Sequence, residues 1–138
     1  MTSSELKTIL KVYLMSRING IKEVCTFNFP ILFPAVIIDE PEVLRENVGY
    51  NVLKETFTLK LNVVAPALVD RDKVLQELNS IALQISDLFL SDPSLNEKVT
   101  QAKILNQEPT KIILKENPEQ QVELVGISLN LKITNIYC

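Results

Sequence analysis

The sequence contains no histidine, and this absence removes several classes of active site. Histidine is the side chain whose ordinary pKa lies nearest neutral pH, and it is the usual base in Ser-His and Cys-His pairs. It is also a common ligand of catalytic and structural zinc. A lysine remains available as an alternative base. We nevertheless expect the chain not to be an enzyme and to hold neither a metal ion nor a cofactor.

Glycine, cysteine and aromatic residues are also scarce. The three glycines, Gly20, Gly49 and Gly126, lie far apart, so they cannot form a phosphate-cradling loop. Tryptophan is absent, which leaves a base-stacking platform without support. Cys25 lies among apolar residues and is predicted to be a small core side chain, whereas Cys138 is predicted to be an exposed thiol. A disulfide between them is not expected, because the sequence shows no secretory signal.

The charge balance does not suggest generic nucleic-acid binding. The chain has 14 basic and 17 acidic residues, a net charge of −3, and 46% hydrophobic residues. Its lysines and arginines are scattered, which removes the argument from a basic patch. No apolar run reaches transmembrane length, so we expect a protein made in a reducing cytoplasm without a membrane partner. A length of 138 residues predicts a single domain over residues 1–138.

Two segments alternate between apolar and polar residues with a period of two, which is typical of strands with one buried face. The apolar positions are Phe57, Leu59, Leu61 and Val63 in the first segment, and Val125, Ile127, Leu129, Leu131 and Ile133 in the second. The polar face includes Thr58, Lys60, Asn130 and Lys132. This face either meets a neighbour or lines a lumen, with Lys60 and Lys132 as candidate residues, or it is merely solvated.

Two amphipathic helices are predicted, over residues 3–18 and 70–90. Thr2 and Glu5 form a capping-box pattern before the first helix, and Asp70 can cap the second. Leu83 and Leu90 fall opposite the apolar stripe of the second helix, so they are candidate exposed contacts. The alternative is that they are isolated surface leucines. The predicted core residues are Leu59, Leu61, Leu78, Ile85, Leu129 and Leu131.

The remaining segments complete an α-β-β-α-β-β-β order. Residues 35–38 form a continuous apolar run typical of a buried strand. Residues 99–107 and 110–115 are predicted to be two short strands, residues 116–119 a turn, and residues 121–137 the last strand. The predicted fold class is α+β, a two-layer sandwich with a mainly antiparallel sheet of about four to five strands and two helices on one face. Gly126, inside a strand, indicates a bulge or a close backbone approach.

Residues 39–52 form the longest segment without periodicity and are predicted to be a loop. The acidic residues Asp39, Glu40 and Glu42 do not match a calcium-binding loop, so a solvated loop is the better interpretation. Long loops in small domains are often functional. We therefore expect this one to contact a neighbouring subunit or a partner ring, through the candidate residues Glu42, Arg45, Glu46 and Tyr50.

Four segments carry a family resemblance: "FPAVIID", "ETFTLKLNVVAP", "DRDKVLQELNSIALQISDLF" and the closing "ELVGISLNLKITNIY". The order of the elements, the chain length and the residue patterns of these segments resemble those of tail terminator and tail-completion proteins of long-tailed bacteriophages. Members of that family are small α+β proteins that form a hexameric ring, which caps the tail tube and joins it to the head connector. The resemblance covers about residues 3–137 and carries over no catalytic residues.

The resemblance implies a structural virion protein at the head–tail junction, assembled in the host cytoplasm. Its implied partners are other copies of itself in a homohexameric ring, the tail tube protein and the head connector. DNA would pass through the lumen without sequence readout. Two alternatives stay open: a neck adaptor or stopper protein, and a non-viral adaptor or small-ligand-binding α+β domain.

Overall fold

The computed structural model describes residues 1–26, 30, 32–67, 70–117 and 120–137. The described chain forms two helices and six strands. In chain order these are α1 (Ser3–Arg17), β1 (Glu23–Cys25), β2 (Ala35–Ile38), β3 (Glu42–Gly49), β4 (Val52–Pro66), α2 (Arg71–Ser91), β5 (Gln101–Asn117) and β6 (Gln120–Tyr137).

The architecture is the predicted α+β sandwich, with one mainly antiparallel sheet and both helices packed on the same face. The sheet order is β1-β2-β4-β6-β5, and only the β1–β2 pair is parallel. The long strand β4 is central, because β6 pairs along one side of it and β2 and β3 share the other side. The sheet has six strands rather than the expected four to five.

Local sequence signals place both helices. The Thr2 hydroxyl accepts a hydrogen bond from the Glu5 N–H at 3.1 Å, and the Asp70 carboxylate accepts one from the Lys73 N–H at 3.1 Å. These bonds satisfy backbone donors that a helix start leaves free. After α1, Gly20 adopts a φ of +95°, a left-handed conformation that favours glycine. The predicted caps are therefore confirmed.

The core lies between the helices and the apolar face of the sheet, which is the face that the alternating pattern predicted to be buried. All six predicted core residues are at most 4% exposed. Cys25 is also buried, as predicted, whereas Cys138 lies outside the described residues. Burial of these side chains is the main force that holds the helices on the sheet.

The prediction of a loop over residues 39–52 is wrong, because most of this segment is the strand β3. It pairs antiparallel with β4, from Glu42 opposite Thr58 to Gly49 opposite Val52. Most of its side chains are exposed, since β3 lies at an edge of the sheet and packs little against the core. A strand of this kind shows no apolar alternation, so its backbone pairing left no periodic signal.

The prediction of two short strands before the last one is also wrong, because β5 is continuous. Pro109 lies inside it, opposite Ile127 of β6. Proline removes a backbone donor, but β5 is an outer strand and needs hydrogen bonds on one side only. The pairing shifts between Ile104 and Asn106, which leaves Leu105 as an extra residue. Of the predicted turn at residues 116–119, the last two lie outside the described residues.

Asn62 and Ser128 lie at polar positions of the two alternating strands, and both are buried. Ser128 donates a hydrogen bond to Asn62 Oδ1 at 2.5 Å, and Asn62 Nδ2 donates to the Ile37 carbonyl and to Asp39 Oδ1. Burial raises the pKa of the Asp39 carboxyl, against the opposing effect of this hydrogen bond from Asn62. The network ties β2, β4 and β6 together, which is how buried polar groups are tolerated.

Candidate functional site

The face of the sheet opposite the helices, here called the open face, is polar and uncovered across its middle. It contains Lys60 and Lys132, which lie on adjacent strands as the alternation predicted. The exposed polar residues in the middle of the open face include Thr58, Lys60, Lys103, Asn106, Glu108 and Lys132. Two exposed apolar residues, Leu44 and Ile136, lie on the same face nearer the turn between β3 and β4. Its polar middle is suited to contact with a polar partner or with solvent.

The charges on the open face are unevenly balanced. Lys60 Nζ donates to Glu108 Oε1 at 2.9 Å, and this bond raises the pKa of Lys60 and lowers the pKa of Glu108. Lys103 lies directly opposite Lys132, and neither has an ion-pair partner among the described residues. Like charges in directly opposed positions destabilise a sheet. This pair of lysines therefore favours the approach of an anionic group.

The predicted contact residues Glu42, Glu46 and Tyr50 lie along β3 and at the turn that follows it. Tyr50 is 94% exposed, an unusual position for a large aromatic side chain. Glu42 and Glu46 lie opposite Thr58 and Lys54, so they extend the open face to the edge of the sheet. In the described chain neither glutamate forms an ion pair. The acidic charge of this edge remains available to a partner.

Arg45, the fourth predicted residue of this segment, is held within the subunit. Its Nε donates to Glu55 Oε2 at 2.7 Å, and its Nη2 donates to the Met1 carbonyl at 3.3 Å. Burial alone would raise the pKa of Glu55, but hydrogen bonds from Arg45, Tyr137 and the Met1 ammonium together lower it. Sequence reasoning missed Glu55, although it occupies an apolar position in the alternation of β4 and so signalled a buried carboxylate.

Leu83 and Leu90 are exposed on α2, as predicted, with 61% and 81% of their surfaces accessible. Leu90 also lines a groove of about 480 Å³ between α2 and β5, here called the β5 groove. Its apolar walls come from Phe89, Leu90, Ala102, Ile104 and Leu105. Sequence reasoning missed this groove, because it depends on how the turn after α2 returns the chain to the edge of the sheet.

The turn after α2 is tied to α1 by Tyr13. The Tyr13 hydroxyl donates to Asp92 Oδ2 at 2.5 Å, and burial together with this bond raises the pKa of Tyr13 to about 12. The Arg17 guanidinium lies 5.4 Å from the centre of the Tyr13 ring. Three consecutive residues, Leu95 to Glu97, then adopt positive φ values, and Leu95 is fully buried. These contacts fix one end of the β5 groove.

Within the described ranges, no group of three or more cysteine or acidic side chains is placed to hold a metal ion. Neither of the two described helices has the length and hydropathy needed to cross a bilayer. In comparisons with known proteins, no family model matches the chain and no curated protein matches it. The open face, the β3 edge and the β5 groove are exposed surfaces through which the described residues can meet a partner.

Proposed function

We propose that the protein is a structural virion component at the phage head–tail junction, a tail terminator that works as a ring of identical subunits. One observation carries the proposal: the sheet is covered by helices on one face only, and its two outer edges differ. A closed ring of identical subunits needs two different, complementary surfaces on each copy. The acidic edge at β3 and the groove beside β5 are two such surfaces.

The open face supports a role as the wall of a lumen. Its middle is polar and carries Lys60, Lys103 and Lys132, and phosphate attraction of this kind carries no base specificity. Its attraction is also modest, because Glu108 neutralises Lys60. A wall past which DNA slides needs both properties, since strong binding would hold the DNA in place. The lumen, the hexameric stoichiometry and the contacts with tail tube and connector belong to the proposal.

A neck adaptor or stopper would use the same surfaces, so the same observations favour it as the nearest alternative. A small-ligand-binding domain is the candidate from a different class. It is favoured by a second pocket of about 310 Å³ between α1 and the turn after α2, lined in part by Ile9, Val12 and Leu95. A stable monomer that binds a small molecule would support that reading.

The test is assembly of the purified full chain. Light scattering after size exclusion and electron microscopy should find a closed ring, either at micromolar concentration or after addition of tail tubes. Ring-capped tubes that stop growing would identify a terminator, whereas binding to the connector alone would identify an adaptor. A protein that stays monomeric at high micromolar concentration, with and without tubes or connector, would overturn the proposal. Neighbouring genes for portal, major tail or tape-measure proteins would give independent support.

A further inference from the structure

The outer side of β5 is an exposed edge of the sheet along part of its length. Near its start, the Ala102 N–H donates to the Pro93 carbonyl at 2.6 Å, so the turn after α2 covers the first residues of the strand. Beyond that bond, residues 103–107 border the β5 groove, and no other described strand pairs with their outer side. An unpaired edge beside an apolar groove is the arrangement that proteins use to accept an added strand.

The opposite side of the sheet offers a strand that fits. β3 is eight residues long, and its outer side is unpaired in the described chain. β3 runs antiparallel to β4, β4 to β6 and β6 to β5, so β3 and β5 point in opposite directions. If a second copy continues the same sheet, its β3 therefore meets β5 as an antiparallel neighbour. The added strand can pair only beyond Ala102, where the turn after α2 leaves the outer side of β5 free, so residues 42–46 of β3 lie beside residues 103–107 of β5.

Charge complementarity selects β3 as the occupant. Lys103 and Lys132 oppose each other on the open face without acidic partners, and Glu46 of β3 lies on that same face, also unpaired within the described chain. If Glu46 of one copy lies beside Lys103 of the next, its carboxylate comes close to Lys103 and Lys132 and reduces the repulsion between these two lysines. The free edges thus carry opposite charges on matching faces.

The same register brings two exposed apolar side chains toward each other. In an antiparallel pair, residue numbers rise along β3 as they fall along β5. With Glu46 beside Lys103, residues 47–49 reach the end of β5 that the turn after α2 already covers, so they leave the pairing there. The turn that carries Tyr50 then comes against Pro93 at this end of the groove. Leu90 lines this groove and is 81% exposed, while Tyr50 is 94% exposed. A rigid aromatic residue in an apolar groove is a typical anchor of an interface.

We propose that β3 of one copy adds to β5 of the next, with Glu46 beside Lys103 and the turn around Tyr50 in the β5 groove. The inference rests on the proposed ring and names the contact that builds it. Each copy gives its β3 edge and receives another at its β5 edge, so the contact is head-to-tail and continues the sheet from subunit to subunit. Contacts of this type close into rings when the rotation between copies allows it.

Cysteine cross-linking between two single variants tests the pairing directly. In a Cys138→Ser background, Glu46→Cys and Lys103→Cys are prepared separately, and the native Cys25 is buried. Directly opposed residues in an antiparallel pair lie about 4.5–5.5 Å apart at Cα, which is within the range of about 4.4–6.8 Å that a disulfide spans. Mild oxidation should give cross-linked dimers in the mixture and none in either variant alone. Glu77→Cys, exposed on α2, mixed with Lys103→Cys is the matched control and should give none.

Charge reversal provides a second test that does not depend on disulfide geometry. Glu46→Lys and Lys103→Glu should each raise the concentration needed for assembly about tenfold, because like charges then meet at every contact. The double variant Glu46→Lys/Lys103→Glu should recover most of this loss, and Glu77→Lys should behave as wild type. Absence of recovery would contradict the pairing of these two residues.

The outcomes separate the inference from the proposed function. A wild-type chain that never assembles, even with tubes or connector, overturns the ring and the pairing with it. Rings that form normally but give no cross-link between positions 46 and 103 overturn the pairing alone. Cross-links between two copies of Glu46→Cys would show a two-fold contact, which also overturns the head-to-tail arrangement.

Discussion

Arg45 and Glu55 lie opposite each other on β3 and β4 and are joined by a hydrogen-bonded ion pair of 2.7 Å. Glu55 is 2% exposed although it is charged. The side chain of Arg45 is partly exposed and lies over the Glu55 carboxylate on the solvent side. The pair fastens the edge strand to the central strand of the sheet. It also gives the fold a carboxylate that is more stable ionised than protonated.

Glu55→Gln should reduce the free energy of unfolding by about 1–3 kcal/mol at pH 7, because the amide loses the charge that its donors stabilise. The pKa of Glu55 is lowered in the folded state. Its contribution is therefore fully present above the unfolded pKa of about 4.3 and is lost as pH falls through the folded value. Denaturant unfolding of both proteins from pH 7 to pH 3 measures this.

The difference between wild type and Glu55→Gln should shrink as pH falls below about 4. Glu46→Gln is the matched control, because Glu46 is a neighbouring exposed carboxylate without an ion-pair partner in the described chain. A difference that is the same at pH 7 and pH 3 would show that the charge of Glu55 contributes nothing.

Tyr13→Phe should lower the melting temperature, because the Asp92 carboxylate then loses the donor that links α1 to the turn after α2. The pKa of Tyr13 is raised to about 12. Its stabilising contribution is thus present below the unfolded pKa of about 10 and is lost as pH rises toward 12. In a spectrophotometric titration, the variant should lack the tyrosine component that ionises near pH 12. If the component that the variant loses ionises near pH 10 instead, the bond is contradicted.

Gly126 should not tolerate a side chain. A Cβ at this position would lie 1.9 Å from the Val63 carbonyl oxygen. This oxygen belongs to the backbone of the central strand β4, which cannot move aside as a flexible side chain can. Gly126→Ala should therefore cost at least about 1–3 kcal/mol, since β4 and β6 have to move apart. Gly49→Ala is the control, because its Cβ would meet nothing closer than 3.7 Å. Equal stability of the two variants, measured by chemical denaturation, would contradict the close approach.

The features that the sequence predicted are those in which side-chain burial decides the structure. Leu59 and Leu129 lie in strands with one buried apolar face and one polar face. The sequence of such a strand alternates between apolar and polar residues with a period of two. The close approach at Gly126 and the exposed positions of Leu83 and Leu90 follow from the same reasoning. In each case the local pattern and the tertiary packing agree.

The features that were missed are set by backbone pairing. β3 is exposed along most of its length, and β5 contains a proline and an extra residue, so neither shows a clean alternation. Asn62 is polar and yet buried, because its partners come from positions 37, 39 and 128. The β5 groove likewise depends on the return of the chain after Leu95. Long-range partners of this kind leave no periodic trace in the sequence.

The outer side of α2 distinguishes two ways in which a ring could be held together. Leu83 and Leu90 are both exposed, but only Leu90 lines the β5 groove. Leu90→Asp should weaken assembly by placing a carboxylate in an apolar contact, while leaving the free energy of unfolding of the monomer nearly unchanged. The expected loss is about tenfold or more in assembly concentration, measured by light scattering.

Leu83→Asp is the informative companion, because this leucine is equally apolar and lies two helical turns away on the same helix. If the helix surface as a whole is the interface, both substitutions should weaken assembly. If the contact is confined to the groove beside β5, Leu90→Asp should weaken assembly and Leu83→Asp should not. Weakening by Leu83→Asp alone would move the interface away from the groove, and normal assembly by both variants would exclude α2 from it altogether.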